Sequence, residues 1–406
     1  MFIKLINEIY FSLALIEDVI MEKLAIKGGK PVSEKMIPIA KPLITKREIS
    51  AAAKVLRSGK LRQGEKTVLF ERRFAEYVGA RYACATSSGT ASLHIAYLSI
   101  IREGDEVILP SFTFISTASM VVFSGGVPVF ADVDLRTFTL DSEEVKNKIT
   151  NKTRAIVPVH LFGNSADLRS IPEIARGHNL TVISDAAQAL GTRYDGRDIG
   201  SYDDVACYSF YPTKNITTCE GGMLTTNEKV LHDKFRLLRH HGESSTYYHT
   251  MLGFNYRMTD VQAAIGIEQL EKLDIFLKKR RNNAGYLTKR LKNLGVLSTP
   301  YIPNMVNHSF NQYTILLDLD RLSCNRDQFV SALRAENIDA VVYYPRPLTL
   351  QPVFMELLGT KRGMCPVSED ISERVLSLPV HPSLSRNDLE LICEAVNKVA
   401  THFTRR

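Results

Sequence analysis

The chain has no C-x-x-C pair, no apolar run long enough to span a bilayer, no internal repeat and no low-complexity tract. Its six cysteines, at positions 84, 207, 219, 324, 365 and 393, are scattered. No zinc or dithiol redox motif can be built from that spacing, and an even count does not imply disulfides in a chain of this length. A reducing, cytoplasmic compartment is expected. Basic charge is thin: 51 Lys and Arg against 44 Asp and Glu leave +7 over 406 residues. The densest cluster, Lys278-Lys279-Arg280-Arg281, falls in a helical stretch and reads as a solvated helix face. Nucleic-acid binding wants its charge clustered, so none is expected. The apolar run Ile9 to Ile16 is too short for a membrane span and has no small-x-small cleavage site. Leu5, Ile6, Ile9, Tyr10, Leu13 and Ile16 recur at helical spacing, so residues 1–21 read either as an extension with an amphipathic helix or as residues preceding a true start at Met21.

What is present is ordinary globular material, 45% apolar and 23% charged, with a length that suits two or three domains. From about residue 45, helical and strand patterns alternate. Helices are expected over 65–77, 91–101, 116–123, 142–149 and 168–178, with strands over 81–85, 106–109, 127–130, 154–159, 181–184, 205–208 and 223–225. That alternation predicts an α/β fold: a mostly parallel sheet with helices on both faces. Beyond about residue 222 the pattern changes to helices at 228–240, a long bent one over 259–294, then 326–336 and 386–402, with one strand at 312–317. Loops are expected around Pro300, Pro345 and Pro366. The implied division is a large α/β domain over 22–274 and a smaller α+β domain over 275–406.

Three segments carry chemistry. Thr86-Ser87-Ser88-Gly89-Thr90-Ala91 follows a strand and opens a helix, where unpaired N–H groups and the helix dipole favour a phosphate; a plain Ser/Thr cap is the alternative. Asp185-Ala186-Ala187-Gln188 follows another strand. A carboxylate at a strand's carboxyl end can hold a protonated ring nitrogen or a metal, or it can cap a helix. Lys214, in Ser209-Phe210-Tyr211-Pro212-Thr213-Lys214-Asn215 ahead of Glu220-Gly221-Gly222, lies between two strands. Desolvation there lowers an amine's pKa and frees it as a nucleophile; an ordinary surface lysine is the alternative. Cradle, carboxylate and lysine in that order suit pyridoxal 5′-phosphate (PLP): the helix start takes the phosphate, the lysine forms the Schiff base, and the carboxylate keeps the pyridine nitrogen protonated. No metal is expected.

These segments, with Pro110-Ser111-Phe112-Thr113-Phe114, Leu238-Arg239-His240-His241-Gly242, Gly253-Phe254-Asn255-Tyr256-Arg257-Met258 and Leu378-Pro379-Val380-His381-Pro382, resemble the DegT/DnrJ/EryC1/StrS aminotransferases over nearly the whole chain. The start Leu24 to Pro31 is similar to the usual family start, which favours Met21 as initiator. The resemblance implies the fold type I PLP-dependent transferase architecture and a cytoplasmic transaminase. It would move an amino group from glutamate or glutamine to a nucleotide-linked keto-sugar for polysaccharide or glycan biosynthesis. It implies Lys214 as Schiff-base lysine and proton shuttle, Asp185 on the ring nitrogen, Gln188 beside the ring and its 3′ oxygen, and Phe114 stacked on the ring. Ser88, Gly89, Thr90 and Ser209 would hold the phosphate. Asn255 would serve the neighbouring site of a homodimer. Tyr211 and Thr349 stand where relatives often carry His, near the expected substrate side. The competing expectations are an inosose or other cyclic-ketone aminotransferase, a regulatory protein that only binds PLP, and a desulfurase using Cys365 in a loop. A lysine-less dehydratase is disfavoured by the presence of Lys214.

Overall fold

The computed structural model describes residues 23–405; the expectations for the first 21 residues lie outside them. The central sheet has seven strands: β1 (Tyr82–Thr86), β2 (Glu106–Pro110), β3 (Val127–Ala131), β4 (Thr153–Ile156), β5 (Thr181–Asp185), β6 (Val205–Ser209) and β7 (Gly222–Thr226), in the order β1-β7-β6-β5-β4-β2-β3. All neighbours pair in parallel except β7, which runs antiparallel to both β1 and β6. This is the fold type I architecture. The strands are continuous apolar runs because both faces are covered. On β1, Cys84 faces one core cluster and Ala83 and Ala85 the other, and β6 divides Cys207 from Ala206 and Tyr208 in the same way.

Helices α1 (Lys46–Ser58), α2 (Glu65–Val78), α3 (Gly89–Ile100), α4 (Ser116–Phe123), α5 (Ser142–Lys148), α6 (Ser170–Gly177), α7 (Lys229–Arg239), α8 (Asp260–Leu270) and α9 (Leu273–Leu291) surround the sheet. Helices α3, α4 and α7 supply Leu93, Tyr97, Val121 and Phe235 to one face; α2, α8 and α9 supply Phe70, Phe74, Ile267 and Leu277 to the other. The long helix expected over 259–294 is two helices, because α8 ends at Leu270 and α9 restarts at Leu273. Neither the N-cap Lys272 nor the C-cap Glu271 departs from right-handed helical backbone, so only the break in hydrogen bonding separates them.

Beyond α9, strands β8 (Leu297–Ser298), β9 (Tyr313–Leu317) and β10 (Val375–Leu378) form a three-stranded antiparallel sheet. Helices α10 (Arg326–Ala335), α12 (Pro366–Arg374) and α13 (Arg386–Phe403) lie against it, whereas α11 (Pro352–Leu358) packs Phe354 onto Phe130 in the large sheet's core. Leu24 and Ile37 pack into this C-terminal cluster with Phe329, Leu376 and Val396. The buried Glu336 anchors them, its carboxylate accepting the Ala25 and Val32 N–H groups at 2.8 and 2.9 Å. Two sequence expectations are corrected here. Pro366 starts a helix rather than a loop, since proline at the first helical position gives up no hydrogen bond. The basic run 278–281 is only half solvated: Lys278 and Lys279 are exposed, but Arg280 is buried and donates to the Phe310 and Asn311 carbonyls.

Candidate active site

The site lies at the carboxyl edge of β1, β6 and β5. Antiparallel β7 enters between β1 and β6, and Gly222 at its start pairs with both Thr86 and Ser209. A Cβ at Gly222 would lie 2.3 Å from the Ser88 carbonyl oxygen, so only glycine lets β7 start this close to the loop that opens α3. Ser88 caps α3, its Oγ accepting the Ala91 N–H at 3.1 Å. The N–H groups of Gly89 and Thr90, first in the helix, therefore point outward without an intrahelical acceptor. Ser209 at the end of β6 closes the other side, and a Cβ on Gly89 would come within 2.8 Å of its Cβ. Thr90 Oγ1 meets Ser116 Oγ at 2.9 Å, bringing the start of α4 into the same cluster. Two helix starts, free N–H groups and three hydroxyls make a cradle whose chemistry fits a phosphate.

Asp185 ends β5 and is buried, at 6% exposure. It caps no helix. A turn follows, and its Oδ1 accepts the Ala187 N–H at 3.1 Å. Its Oδ2 accepts the Thr117 hydroxyl at 2.7 Å, and Thr117 Oγ1 lies 3.2 Å from that of Thr113. The backbone beneath is fixed too. Asp185 N–H donates to the Pro158 carbonyl, and the His160 N–H donates to the Asp185 carbonyl, at 2.9 and 3.0 Å. The buried His160 ring accepts the Ala166 N–H at Nδ1 (3.1 Å), so its own hydrogen sits on Nε2, 2.9 Å from Ser184 Oγ. Ser184 donates in turn to Asp203.

Lys214 sits in the turn after β6, its N–H bonded to the Tyr211 carbonyl at 2.9 Å. The residue as a whole is half-buried. Desolvation of its amine is the dominant influence and pushes it down to about 8, while the nearby Asp185 carboxylate pulls it back upward. Gln188 is locked at both ends: its Oε1 accepts the Phe162 N–H at 2.8 Å, and its Nε2 donates to the Tyr344 hydroxyl at 2.9 Å. Phe114 is 52% exposed, its ring tilted 38° from that of Tyr344 with 6.1 Å between centroids. An exposed phenylalanine beside a buried carboxylate and a desolvated amine fits a planar ring, and the donor set fits PLP.

The structure thus brings together Ser88, Gly89, Thr90 and Ser209 on one side, and Asp185, Gln188, Phe114 and Lys214 on the other. Asn255 is exposed and its side chain makes no hydrogen bond among the described residues; its backbone bridges to His240. Thr349 is fully buried, its Oγ1 3.0 Å from Ser111 Oγ. It therefore lies behind the Pro110-to-Phe114 segment rather than on an open substrate side. Cys365 is no mobile loop cysteine: it is buried as the N-cap of α12, and burial pushes its thiol up to about 12. Sequence reasoning passed over Thr117, Ser116 and Tyr344. A pair of small hydroxyls opening a helix right after a strand was the available signal for the first two.

A model of the DegT/DnrJ/EryC1/StrS aminotransferase family matches residues 42–397. The chain belongs to that family, and it is an aminotransferase. It is 41% identical over 340 residues to the GDP-perosamine synthase of Caulobacter vibrioides, covering 83% of this chain and 90% of the relative. Among solved structures it superposes on Helicobacter pylori PseC, an aminotransferase of pseudaminic acid biosynthesis, with a TM-score of 0.87, 28% identity, and 91% and 100% of the two chains covered. The PLP form of Streptococcus pneumoniae Spr1654 matches with a TM-score of 0.84 and 27% identity over 90% and 99% of the chains.

Proposed function

We propose that the chain is a PLP-dependent aminotransferase that takes an amino group from glutamate or glutamine and delivers it to a nucleotide-linked keto-sugar. The observation that carries this is the Lys214 amine, pushed to about 8, beside buried Asp185 and across from the Gly89–Ser209 cradle. When bound, PLP supplies an electron-poor ring that accepts the electron pair left at the donor's α-carbon and stores the amino group between half-reactions. Gly89, Thr90, Ser88 and Ser209 would hold its phosphate. Asp185 would keep a proton on the ring nitrogen, with its carboxylate fixed by Thr117. Gln188, clamped by Phe162 and Tyr344, would sit beside the ring, and the exposed Phe114 would cover a face of it. Lys214 would be the residue that holds the cofactor between turnovers, and its free amine would be the base that takes and returns the donor's α-proton.

The acceptor class is supported by the relatives, a GDP-perosamine synthase and an aminotransferase of pseudaminic acid biosynthesis. The same reading makes the enzyme a cytoplasmic homodimer in which Asn255 of each chain serves the other's cofactor phosphate. It divides the chain into a cofactor-binding part over 22–274 and a smaller part over 275–406, on which residues 24–37 pack. No helix of the described residues is long and apolar enough to cross a membrane. The test is spectroscopic. Purified protein supplied with PLP should show a band at the visible edge that bleaches with excess glutamate or glutamine and returns when the right nucleotide keto-sugar is added. A band indifferent to both donors, or no band at all, overturns the reading.

A further inference from the structure

Strand β1 stands at the edge of the large sheet, with β7 as its strand neighbour. An edge leaves backbone groups without a ladder partner. At Ala85 a side-chain pair takes the place of the missing strand. The Glu71 carboxylate on α2 accepts the Ala85 N–H at 2.9 Å, and the Arg239 guanidinium at the end of α7 donates to the Ala85 carbonyl at 2.9 Å. Glu71 and Arg239 are also paired with each other. Two residues further along β1, Tyr256 takes over. Its carbonyl accepts the Ser87 N–H at 2.8 Å, and its own N–H donates to the Arg239 carbonyl at 3.0 Å. Arg239 therefore closes a ring: its side chain fixes Ala85, its backbone fixes Tyr256, and Tyr256 fixes Ser87. The cradle begins at the next residue, Ser88.

The pair is a poor device for stability alone. Arg239 is 2% exposed, and its Nε has no hydrogen-bond partner among the described residues. Apolar packing in place of a buried ion pair is often no worse for stability. What apolar side chains cannot do is hold the N–H and the carbonyl of one residue at set places. The cradle depends on such placing, because a helix start binds a phosphate through backbone N–H groups, here those of Gly89 and Thr90. From inside the sheet, β7 seats the loop at Gly222. From the open edge, the ring through Arg239 seats it. We infer that Arg239, held by Glu71, is a positioning residue for the phosphate cradle, acting through Ala85 and Ser87. This rests on the cofactor reading proposed above. It goes further by assigning part of the phosphate affinity to a buried ion pair that does not touch the ligand. It also ties the cradle to the segment carrying Asn255, since Tyr256 belongs to both.

The test compares pyridoxamine 5′-phosphate with pyridoxamine, two ligands that differ only in the phosphate and have no aldehyde to condense with Lys214. Their affinities are measured by calorimetry on the full chain freed of cofactor. Arg239→Met removes the donor to Ala85 and leaves the Glu71 side chain, 14% exposed, within reach of water. The double variant Glu71→Gln/Arg239→Met leaves no buried charge unpaired, so its fold is the safer of the two, and the glutamine can still accept the Ala85 N–H. In both, the affinity for pyridoxamine should stay at the wild-type value. The affinity for its 5′-phosphate should fall about tenfold, the size of one hydrogen bond. A support that merely stabilises the fold would lower the melting temperature and leave the ratio of the two affinities alone. An unchanged ratio, or an equal loss for both ligands, therefore overturns the inference. If the wild type itself binds the two ligands equally, the cradle holds no phosphate, and the cofactor reading falls together with the inference.

Discussion

A lysine held at about 8 rather than its ordinary 10.5 is half free amine at mildly alkaline pH, and only the free amine attacks an aldehyde. Capture of PLP by the cofactor-free protein should therefore speed up with rising pH, with a midpoint near 8. An unperturbed lysine would put that midpoint above 10. Stopped-flow absorbance across the range decides between them, and Lys214→Ala should abolish both capture and turnover. The linkage has a definite sign: between about 8 and 10.5 the unfolded chain keeps a proton that the folded site has released, so the cofactor-free fold gains stability as pH rises through that window. The second residue-scale prediction concerns Thr117, whose hydroxyl is the one side-chain donor to Asp185 among the described residues. Thr117→Val keeps the shape and removes that bond. Turnover should fall about tenfold, as for loss of one hydrogen bond to a charged group, with the bound cofactor's absorbance maximum shifted and the melting temperature little changed. An unaltered spectrum with unaltered turnover would show that Asp185 needs no such support. At this scale the site was legible where a residue type is rare for its place: a lysine between two strands, an aspartate at a strand end. Thr117 and Tyr344 were not, because hydroxyls and aromatics are common everywhere and only the fold shows which ones face Asp185 and Gln188.

Among the elements, the strands of the large sheet were readable because burial on both faces writes them as short apolar runs. The helices between them carry periodic apolar positions. What failed to show was breaks and starts. The gap at Glu271–Lys272 contains neither Gly nor Pro, so no local signal interrupts the pattern. α12 begins on a proline that the sequence alone reads as a breaker. Helix α1 was missed although Thr45 and Glu48 form a capping box whose S/T-x-x-E spacing stands in the sequence. The element that matters most for function is the start of α3, where position 89 tolerates no side chain against Ser209. In Gly89→Ala the new Cβ would sit 2.8 Å from the Ser209 Cβ, so the start of α3 and the end of β6 must spread. Because the cradle works through close backbone approach, affinity for PLP should weaken by roughly tenfold or more. The rest of the fold is untouched, so the far-ultraviolet dichroism should stay native. Fluorescence titration with PLP measures it; wild-type affinity in the variant would mean that the phosphate is held elsewhere.

On the scale of the molecule, the chain's own site leaves Asn255 unused. Its side chain is exposed and unbonded among the described residues. Yet the flanking backbone is tightly placed, with the Tyr256 carbonyl accepting the Ser87 N–H at 2.8 Å and Arg257 bridged to Thr86. Nearby, the hairpin over 243–249 exposes Tyr247 and Tyr248, and Leu252 follows at 94% exposure. A rigidly set polar residue beside exposed large apolar side chains is what a symmetric interface requires, since a two-fold axis gives each chain's residue to the other's site. The claim has a decisive test by mixing. At limiting PLP, Asn255→Ala should be nearly inactive, and Lys214→Ala inactive at any concentration. If Asn255 acts across the interface, a mixed dimer has one site with both residues intact and one with neither. Unfolding and refolding the two variants together should then restore about a quarter of wild-type activity, because half the dimers are mixed and each has one working site. If Asn255 acts within its own chain, every site in the mixture lacks one residue or the other, and refolding together restores nothing.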